Sequence, residues 1–291
     1  MYDVIILGKG PAGIQASLYI KRAGLDVLVL AKDGGALMKT ESIANYYGTG
    51  TLSGPELLNA GIQQATDLGI EIRDTEVTSI SMEIDGGFTV DTLTQSLRCH
   101  AVIIATGSPR TTVKIPNLKE LEGKGVSYCA VCDAFFYRKK TVAVIGQGAY
   151  ALHEAQELLP LTQKVILLTH GFPPEIEFPD NVEINTHKIE RILGQDQVEG
   201  VLLADQTEIK LDGIFVALGS ASSFDLALKI GAQVEGNKIL TDDSRQTNVP
   251  GLFAAGDCTT GTMQIAKAVG DGMVAGLSAV SYIRTKKLTA K

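Results

Sequence analysis

Residues 3–13 read Asp-Val-Ile-Ile-Leu-Gly-Lys-Gly-Pro-Ala-Gly, and residues 141–151 read Thr-Val-Ala-Val-Ile-Gly-Gln-Gly-Ala-Tyr-Ala. Each is a short apolar run ending in a glycine loop, and the second loop opens 138 positions after the first. Segments of helical character follow, over residues 11–23 and 149–159, and each leads to another apolar run, 25–31 and 165–169. Two βαβ units are thereby spelled out, the first complete to a helix stop at Gly24. Each unit closes on a similar strand and glycine, AVIIATG at 101–107 and GIFVALG at 213–219. Between them, turn signals at Asp85-Gly86-Gly87 and Glu235-Gly236-Asn237 mark hairpins. The run 251–257 (GLFAAGD) has no glycine loop of its own and is expected to return to the first unit. The expected architecture is α/β, with two nucleotide-binding-type domains, the second inserted into the first. Residues 1–112 and 248–291 form one and 113–247 the other, with crossings near Val113 and Asn248, close to Pro116 and Pro250.

Composition agrees with two cores. The chain has 291 residues, 45% hydrophobic and 20% charged, which suits a two-domain globular protein and excludes a disordered one. A net charge of −7 argues against nucleic acid or anionic lipid as a partner. No apolar run reaches the roughly 18 residues that cross a bilayer. The apolar N-terminus has no basic segment before it, so it reads as a first strand rather than a signal peptide, and the expected compartment is the cytoplasm. Four cysteines are too few for a disulfide scaffold, and two form a C-x-x-C.

Gly8, Gly10 and Gly13 fill all three positions of G-x-G-x-x-G, with Pro11 and Ala12 between them. The first glycine makes the turn and the second lets backbone approach a pyrophosphate. The third permits close helix–strand packing, while the helix N-terminus donates N–H groups to the anion. An acid that holds a ribose hydroxyl is expected near the end of the second strand. Asp33 comes slightly late, which leaves Lys32 or backbone as the contact. In the second loop Gly146 and Gly148 stand with Ala151 as third position, but Tyr150 sits where phosphate needs room. Its ring could fill or cap the anion pocket, so a retained fold without its ligand is at least as good a reading as binding.

Cys129-Ala130-Val131-Cys132-Asp133 lies just before the second unit. Two cysteines so close at a helix start can form an exchangeable disulfide, the helix N-terminus supporting the thiolate on reduction. Asp133 can give or take the proton of the leaving thiolate. Zinc needs two more ligands, and neither a second C-x-x-C nor a spaced His pair accompanies Cys99, His100 and Cys258, so no metal is expected. Cys99 and Cys258 read as packed thiols.

Taken in order, these pieces resemble the low-molecular-weight thioredoxin reductase family over essentially the whole chain. The matches are the first glycine loop, Gly34-Gly35-Ala36-Leu37, Asn45-Tyr46-Tyr47-Gly48, Ala105-Thr106-Gly107, the C-A-x-C-D at 129–133, the second loop, and 251–257 followed by Met263-Gln264. The resemblance implies two Rossmann-like domains of the class II pyridine nucleotide-disulfide oxidoreductase type. It implies electron flow from FAD to Cys129–Cys132 and on to thioredoxin, in a homodimer. Gly8, Gly10, Pro11, Ala12, Gly13, Gly35, Ala36, Leu37, Asn45, Thr106, Gly107, Gly256, Asp257 and Gln264 match the FAD-contacting motifs.

The departure lies where the family binds NADPH, through an H-R-R-x-x-x-R run whose guanidinium groups hold the 2′-phosphate. Here the aligned stretch is Thr169-His170-Gly171-Phe172-Pro173-Pro174-Glu175, and 165–187 contains no Lys or Arg. Losing two such partners costs roughly 3–6 kcal/mol, two to four powers of ten in affinity. No acid follows the strand to take the ribose of NADH either. In lacking the arginines the chain resembles the clostridial-type, ferredoxin-dependent flavin thioredoxin reductase, which implies reduced ferredoxin as the donor. Arg138-Lys139-Lys140 and Arg284, Lys286, Lys287 are candidate docking cations for an acidic ferredoxin. Two rival readings stand beside this one: a pyridine-nucleotide-dependent reductase with an unorthodox pocket, and a non-catalytic FAD-binding redox sensor.

Overall fold

The first apolar run forms the strand Tyr2–Leu7, whose last four residues are buried. In the computed structural model, which describes residues 1–84, 86–107, 114–219 and 223–289, the chain divides into two units. One comprises residues 1–109 and 222–291, the other 110–221.

In the first unit the parallel strands lie in the order Glu71–Asp74, Val27–Ala31, Tyr2–Leu7, Ser96–Ile104 and Leu252–Ala254. The last of these pairs with the C-terminal half of Ser96–Ile104, so the 251–257 run returns to the first sheet as its sequence implied. The N-terminal half of Ser96–Ile104 instead carries an antiparallel meander of Phe88–Thr92 and Val77–Met82. Burial on both faces explains the near-continuous apolar reading of the central strands. Helix α1 (Pro11–Arg22) follows the first strand, and α2 (Gly54–Asp67) starts from a Ser53–Glu56 capping box. Val4, Ile6, Ala16, Ile103, Phe253 and Ala275 belong to one core.

The second unit repeats the plan. Its parallel strands run Val182–Asn185, Lys164–Leu168, Thr141–Ile145, Gly213–Val216 and Val126–Ser127. The single turn α3 (Ala130–Asp133) precedes Thr141–Ile145, and α4 (Ala149–Leu158) follows it. An antiparallel trio, Ile189–Leu193, Gly200–Leu203 and Glu208–Lys210, completes the core around Ile145, Ile166 and Ile214.

The second crossing differs from the expectation near Asn248. Residues 222–247 stay with the first unit, because helix α5 (Ser223–Lys229) packs against the strand Val77–Met82. Asn248 ties the segment down further, its Oδ1 accepting from Gln233 N at 2.7 Å and its Nδ2 donating to Gly231 O at 2.9 Å. The hairpin at Glu235-Gly236-Asn237 forms, joining Val234–Glu235 to Lys238–Ile239. The expected crossing near Val113, and Asp85 of the other turn signal, lie outside the described residues.

The C-terminal helix α6 (Ile265–Thr289) lies on α1 so closely that a Cβ at Gly272 would stand 2.1 Å from Ala12 O. Among the described residues, no helix is long and apolar enough to cross a membrane.

Candidate active site

The first glycine loop links the strand Tyr2–Leu7 to α1, with Gly10 as N-cap, Pro11 at the first helical position and no side-chain cap. The first N–H groups of α1 therefore face outward as donors for an anion. Gly8 has φ 110°, and a Cβ there would stand 2.3 Å from Ala105 O; one on Gly13 would stand 1.9 Å from Gly8 O. Around Gly10, by contrast, a Cβ would meet no atom of the described residues within 4 Å, which is a cradle of the kind pyrophosphate needs.

Other predicted residues gather at the same ends of the parallel strands. The Ala105-Thr106-Gly107 segment touches Gly8, and Gly256 lies against Ala12. Asn45 Nδ2 points to Gln264 Oε1 at 3.5 Å, joining two positions 219 residues apart. Gly35, Ala36 and Leu37 open a 3-10 turn in which the Leu37 side chain is buried beside Ile43 and Leu58. Asp33 turns inward to its own loop, its Oδ1 accepting from Gly35 N at 2.8 Å, and Lys32 pairs with Glu76 at 2.8 Å.

Beneath the Gly256-Asp257 turn sits a network the sequence reading did not include. Asp271, 3% exposed on α6, accepts from Gly256 N at 3.1 Å and pairs with Arg245 at 2.9 Å and Lys267 at 2.7 Å. Only the i,i+4 spacing of Lys267 and Asp271 could have suggested it. Among the described residues, Asp257 Oδ1 is buried without a hydrogen-bond partner. A flavin's hydroxylated side chain supplies such a partner, so the open Gly10 cradle and this carboxylate oxygen together fit FAD.

In the second unit Cys129 and Cys132 are joined in a disulfide, Cα to Cα 5.3 Å. Cys129 is buried and Cys132 exposed. The helix expected there is only the single turn α3, followed by a 3-10 turn, Ala134–Tyr137, so its dipole is small. Support for sulfur charge is local instead: Cys132 N donates to Cys129 Sγ at 3.2 Å. The Ser127 hydroxyl donates to Asp133 Oδ2 at 2.7 Å and accepts from Cys129 N at 3.1 Å, which fixes the carboxylate beside the cysteines. Val131, Phe135 and Phe136 are exposed around it, at 56%, 64% and 69%. Cys99 and Cys258 are fully buried, and burial pushes both thiols up to about 12, the behaviour of packed, inert sulfurs.

The second glycine loop is occupied by the chain itself. Glu175 N donates to Gln147 O at 2.8 Å, and Gln147 Nε2 donates to Glu175 Oε1 at 2.8 Å. Glu175 Oε2 lies 2.7 Å from where a Gly148 Cβ would stand. A carboxylate thus covers the glycine that a pyrophosphate must approach. His170, at an arginine position, has φ 54° and turns inward, its Nδ1 accepting from Ile189 N at 3.1 Å. Tyr150 does not cap this loop. Its ring is fully buried and its hydroxyl donates to Tyr128 O at 3.0 Å, beside the disulfide.

The sequence profile of the pyridine nucleotide-disulphide oxidoreductases matches residues 2–272. The thioredoxin reductase of Listeria innocua is 34% identical, over 99% of this chain and 95% of its own length, and that of Bacillus subtilis 33%, over 100% and 98%. Among solved structures, the atypical thioredoxin reductase TRi of Desulfovibrio vulgaris Hildenborough superposes with a TM-score of 0.93 at 37% identity, covering 98% of this chain and 99% of that one. The ferredoxin-flavin thioredoxin reductase of Clostridium acetobutylicum gives 0.73 at 33% identity, covering 100% and 99%. With a profile spanning nearly the whole chain and relatives matched over nearly their full length, the protein belongs to the FAD-dependent pyridine nucleotide-disulphide oxidoreductases, in the low-molecular-weight thioredoxin reductase family.

Proposed function

We propose that the protein is a thioredoxin reductase that takes its electrons from reduced ferredoxin rather than from NADPH, and passes them by way of FAD to Cys129–Cys132 and then to thioredoxin. The observation that carries the choice of donor is the Glu175–Gln147 clasp over Gly148. A nucleotide entering that loop meets a negative charge where its own pyrophosphate needs N–H donors, and 165–187 offers no cation to offset it. Two effects act together here, the lost guanidinium groups and an occupied loop.

The residues around the first glycine loop, with Asn45, Thr106, Gly107, Gly256, Asp257 and Gln264, are the ones we assign to FAD. Bound there, FAD supplies the two electrons that the disulfide accepts. Reduction takes two electrons and two protons and gives two thiols. Asp133, oriented by Ser127, is placed to move one of those protons at the sulfur of Cys129 or Cys132. Exposed Val131, Phe135 and Phe136 offer an apolar surface beside the disulfide that suits a protein substrate.

Of the two basic clusters, the structure favours one for the acidic donor. Arg284 donates to Ala23 O at 3.3 Å, Lys286 to Gly86 O, and Lys287 pairs with Asp3 at 2.8 Å, so the C-terminal cations are engaged on their own unit. Arg138, Lys139 and Lys140 are exposed, with Arg138 over the Phe135 ring and Lys140 over that of Tyr137.

The test is anaerobic mixing of the FAD-loaded protein with excess NADPH, then NADH, then reduced ferredoxin, following flavin absorbance. Bleaching by ferredoxin alone, with turnover of thioredoxin, is the expected result. Rapid bleaching by NADPH overturns the donor assignment and makes the protein a conventional reductase. Absence of thioredoxin turnover with every donor overturns the catalytic reading in favour of a redox sensor.

A further inference from the structure

Helix α4 starts from the second glycine loop, yet two of its side chains serve a different client. Tyr150 and Glu154 are one helical turn apart and therefore share a face. Both are 1% exposed. Tyr150 donates its hydroxyl to the carbonyl of Tyr128, the residue before Cys129, at 3.0 Å. Glu154 Oε2 accepts from the amide of Ala130, the residue after Cys129, at 2.6 Å. The backbone on both sides of the buried cysteine is thus pinned to one helix face.

We propose that Tyr150 and Glu154 are positioning residues for the Cys129–Cys132 disulfide, and that the buried Glu154 carboxylate sets its reduction potential. The inference rests on Cys129–Cys132 being the working couple, as proposed above, but not on the identity of the electron donor.

The two contacts differ in kind. The Tyr150 bond is neutral and fixes geometry alone. The Glu154 bond is short for an N–H donor and places a carboxyl group one peptide unit from Cys129 in a site almost closed to water. Any thiolate formed at the sulfurs of the reduced couple is disfavoured by a neighbouring carboxylate through low-dielectric repulsion. The oxidised form bears no charge and is indifferent. Glu154 therefore holds the couple toward the disulfide and lowers its potential. The other titratable side chains on these elements are Tyr128, Asp133, His153 and Glu157, with Tyr137 on the turn that follows, and none changes in the comparison below.

The test is an equilibrium that needs no flavin donor: the protein disulfide plus two glutathione thiols gives the protein dithiol plus glutathione disulfide. Glu154→Gln keeps an oxygen acceptor for the Ala130 amide and removes the charge. Its reduced-to-oxidised ratio at fixed glutathione poise and about pH 9.5, above the ordinary thiol range, is expected to rise about tenfold, close to 30 mV for a two-electron couple. Tyr150→Phe removes a neutral bond from the same turn and should shift the ratio less than twofold. Flavin absorbance and melting temperature control for folding. A shift below twofold in E154Q, or equal shifts in both variants, overturns the charge assignment and leaves a purely structural clamp. The wild type gives an independent check through the pH dependence of alkylation of its reduced cysteines. The faster-reacting thiol is expected to titrate at or above the ordinary 8.5 despite the Cys132 N–H donor, and a midpoint below 7 overturns the proposal. Failure of ferredoxin to reduce the protein would leave these readouts unaffected, so the two proposals fail separately.

Discussion

Replacing Asp271 by alanine is the sharpest test of how the fold holds the Gly256-Asp257 turn. The carboxylate is 3% exposed and holds two cations, Arg245 and Lys267, whose side chains are 29% and 20% exposed. It also accepts from Gly256 N. Alanine leaves a buried N–H without its acceptor and two cations without their counter-charge. Breaking a buried pair costs roughly 3–5 kcal/mol, and partial hydration of the cations puts this case near the lower end. A loss of about 3 kcal/mol lowers the melting temperature by roughly 6–12 °C for a unit of this size. Asp271→Asn retains an oxygen for Gly256 N and should lose about half as much. With no tryptophan in the chain, urea unfolding is best followed by far-ultraviolet circular dichroism, with visible absorbance reporting flavin retention. The variant should release flavin before the polypeptide melts. A cost below about 1 kcal/mol, or an asparagine variant as damaged as the alanine one, would refute the reasoning.

Four further outcomes are expected. Alkylation of the reduced, folded protein at pH 8 should label two cysteines, Cys129 and Cys132, and labelling of all four should require denaturant, because burial pushes Cys99 and Cys258 up to about 12. Asp133→Asn should lower thioredoxin turnover about 100-fold with flavin absorbance unchanged, as expected for a lost proton donor. Glu175→Ala should raise affinity for ADP, measured by calorimetry, at least threefold by uncovering Gly148, while NADPH stays weak without the arginines. Burial alone would raise the Asp3 carboxyl, but the Lys287 ammonium and the Asp26 N–H more than offset it and hold it below its usual value. Asp3→Asn should therefore destabilise at pH 7, with the gap closing as acid below about pH 4 protonates Asp3 in the wild type, seen by paired urea titrations.

The strands and helices nearest the glycine loops were legible because period and punctuation coincide there. Helix 11–23 ends at Arg22, strand 141–145 is unchanged, and the 251–257 run returns to the first sheet. The second crossing was not legible. Pro250 looks like a boundary in sequence, but the segment before it belongs to the first unit through packing of α5 on Val77–Met82 and through Asn248, neither of which leaves a periodic trace. The candidate flavin residues divide in the same way. Gly8, Gly10 and Gly13 announce themselves by backbone demand, whereas Asp271 acts through side chains that meet only once α6 lies beside the turn. Lys32 and Asp33 were open in the sequence, and the structure gives them local partners, Glu76 and Gly35.

Gly146-Gln147-Gly148 and Gly8-Lys9-Gly10 are nearly the same in sequence, and what separates them lies elsewhere in the chain. A glycine loop specifies a turn, an exposed helix start and room for backbone to approach an anion; it does not specify which anion arrives. In the first unit that room is left open at Gly10. In the second it is taken by Glu175, a residue 27 positions beyond Gly148 whose acidity in place of an arginine was visible but whose reach onto the loop was not. Tyr150 makes the complementary point. Its bulk at the helix start signalled that the loop had changed, yet the ring turns inward to the disulfide rather than outward over the phosphate position. One helix thus has its nucleotide face blocked by a carboxylate while its inner face grips the redox turn. Arginines introduced after strand Lys164–Leu168 alone are therefore expected to leave NADPH binding weak, because Glu175 must also leave Gly148 before any pyrophosphate can reach the amides of α4.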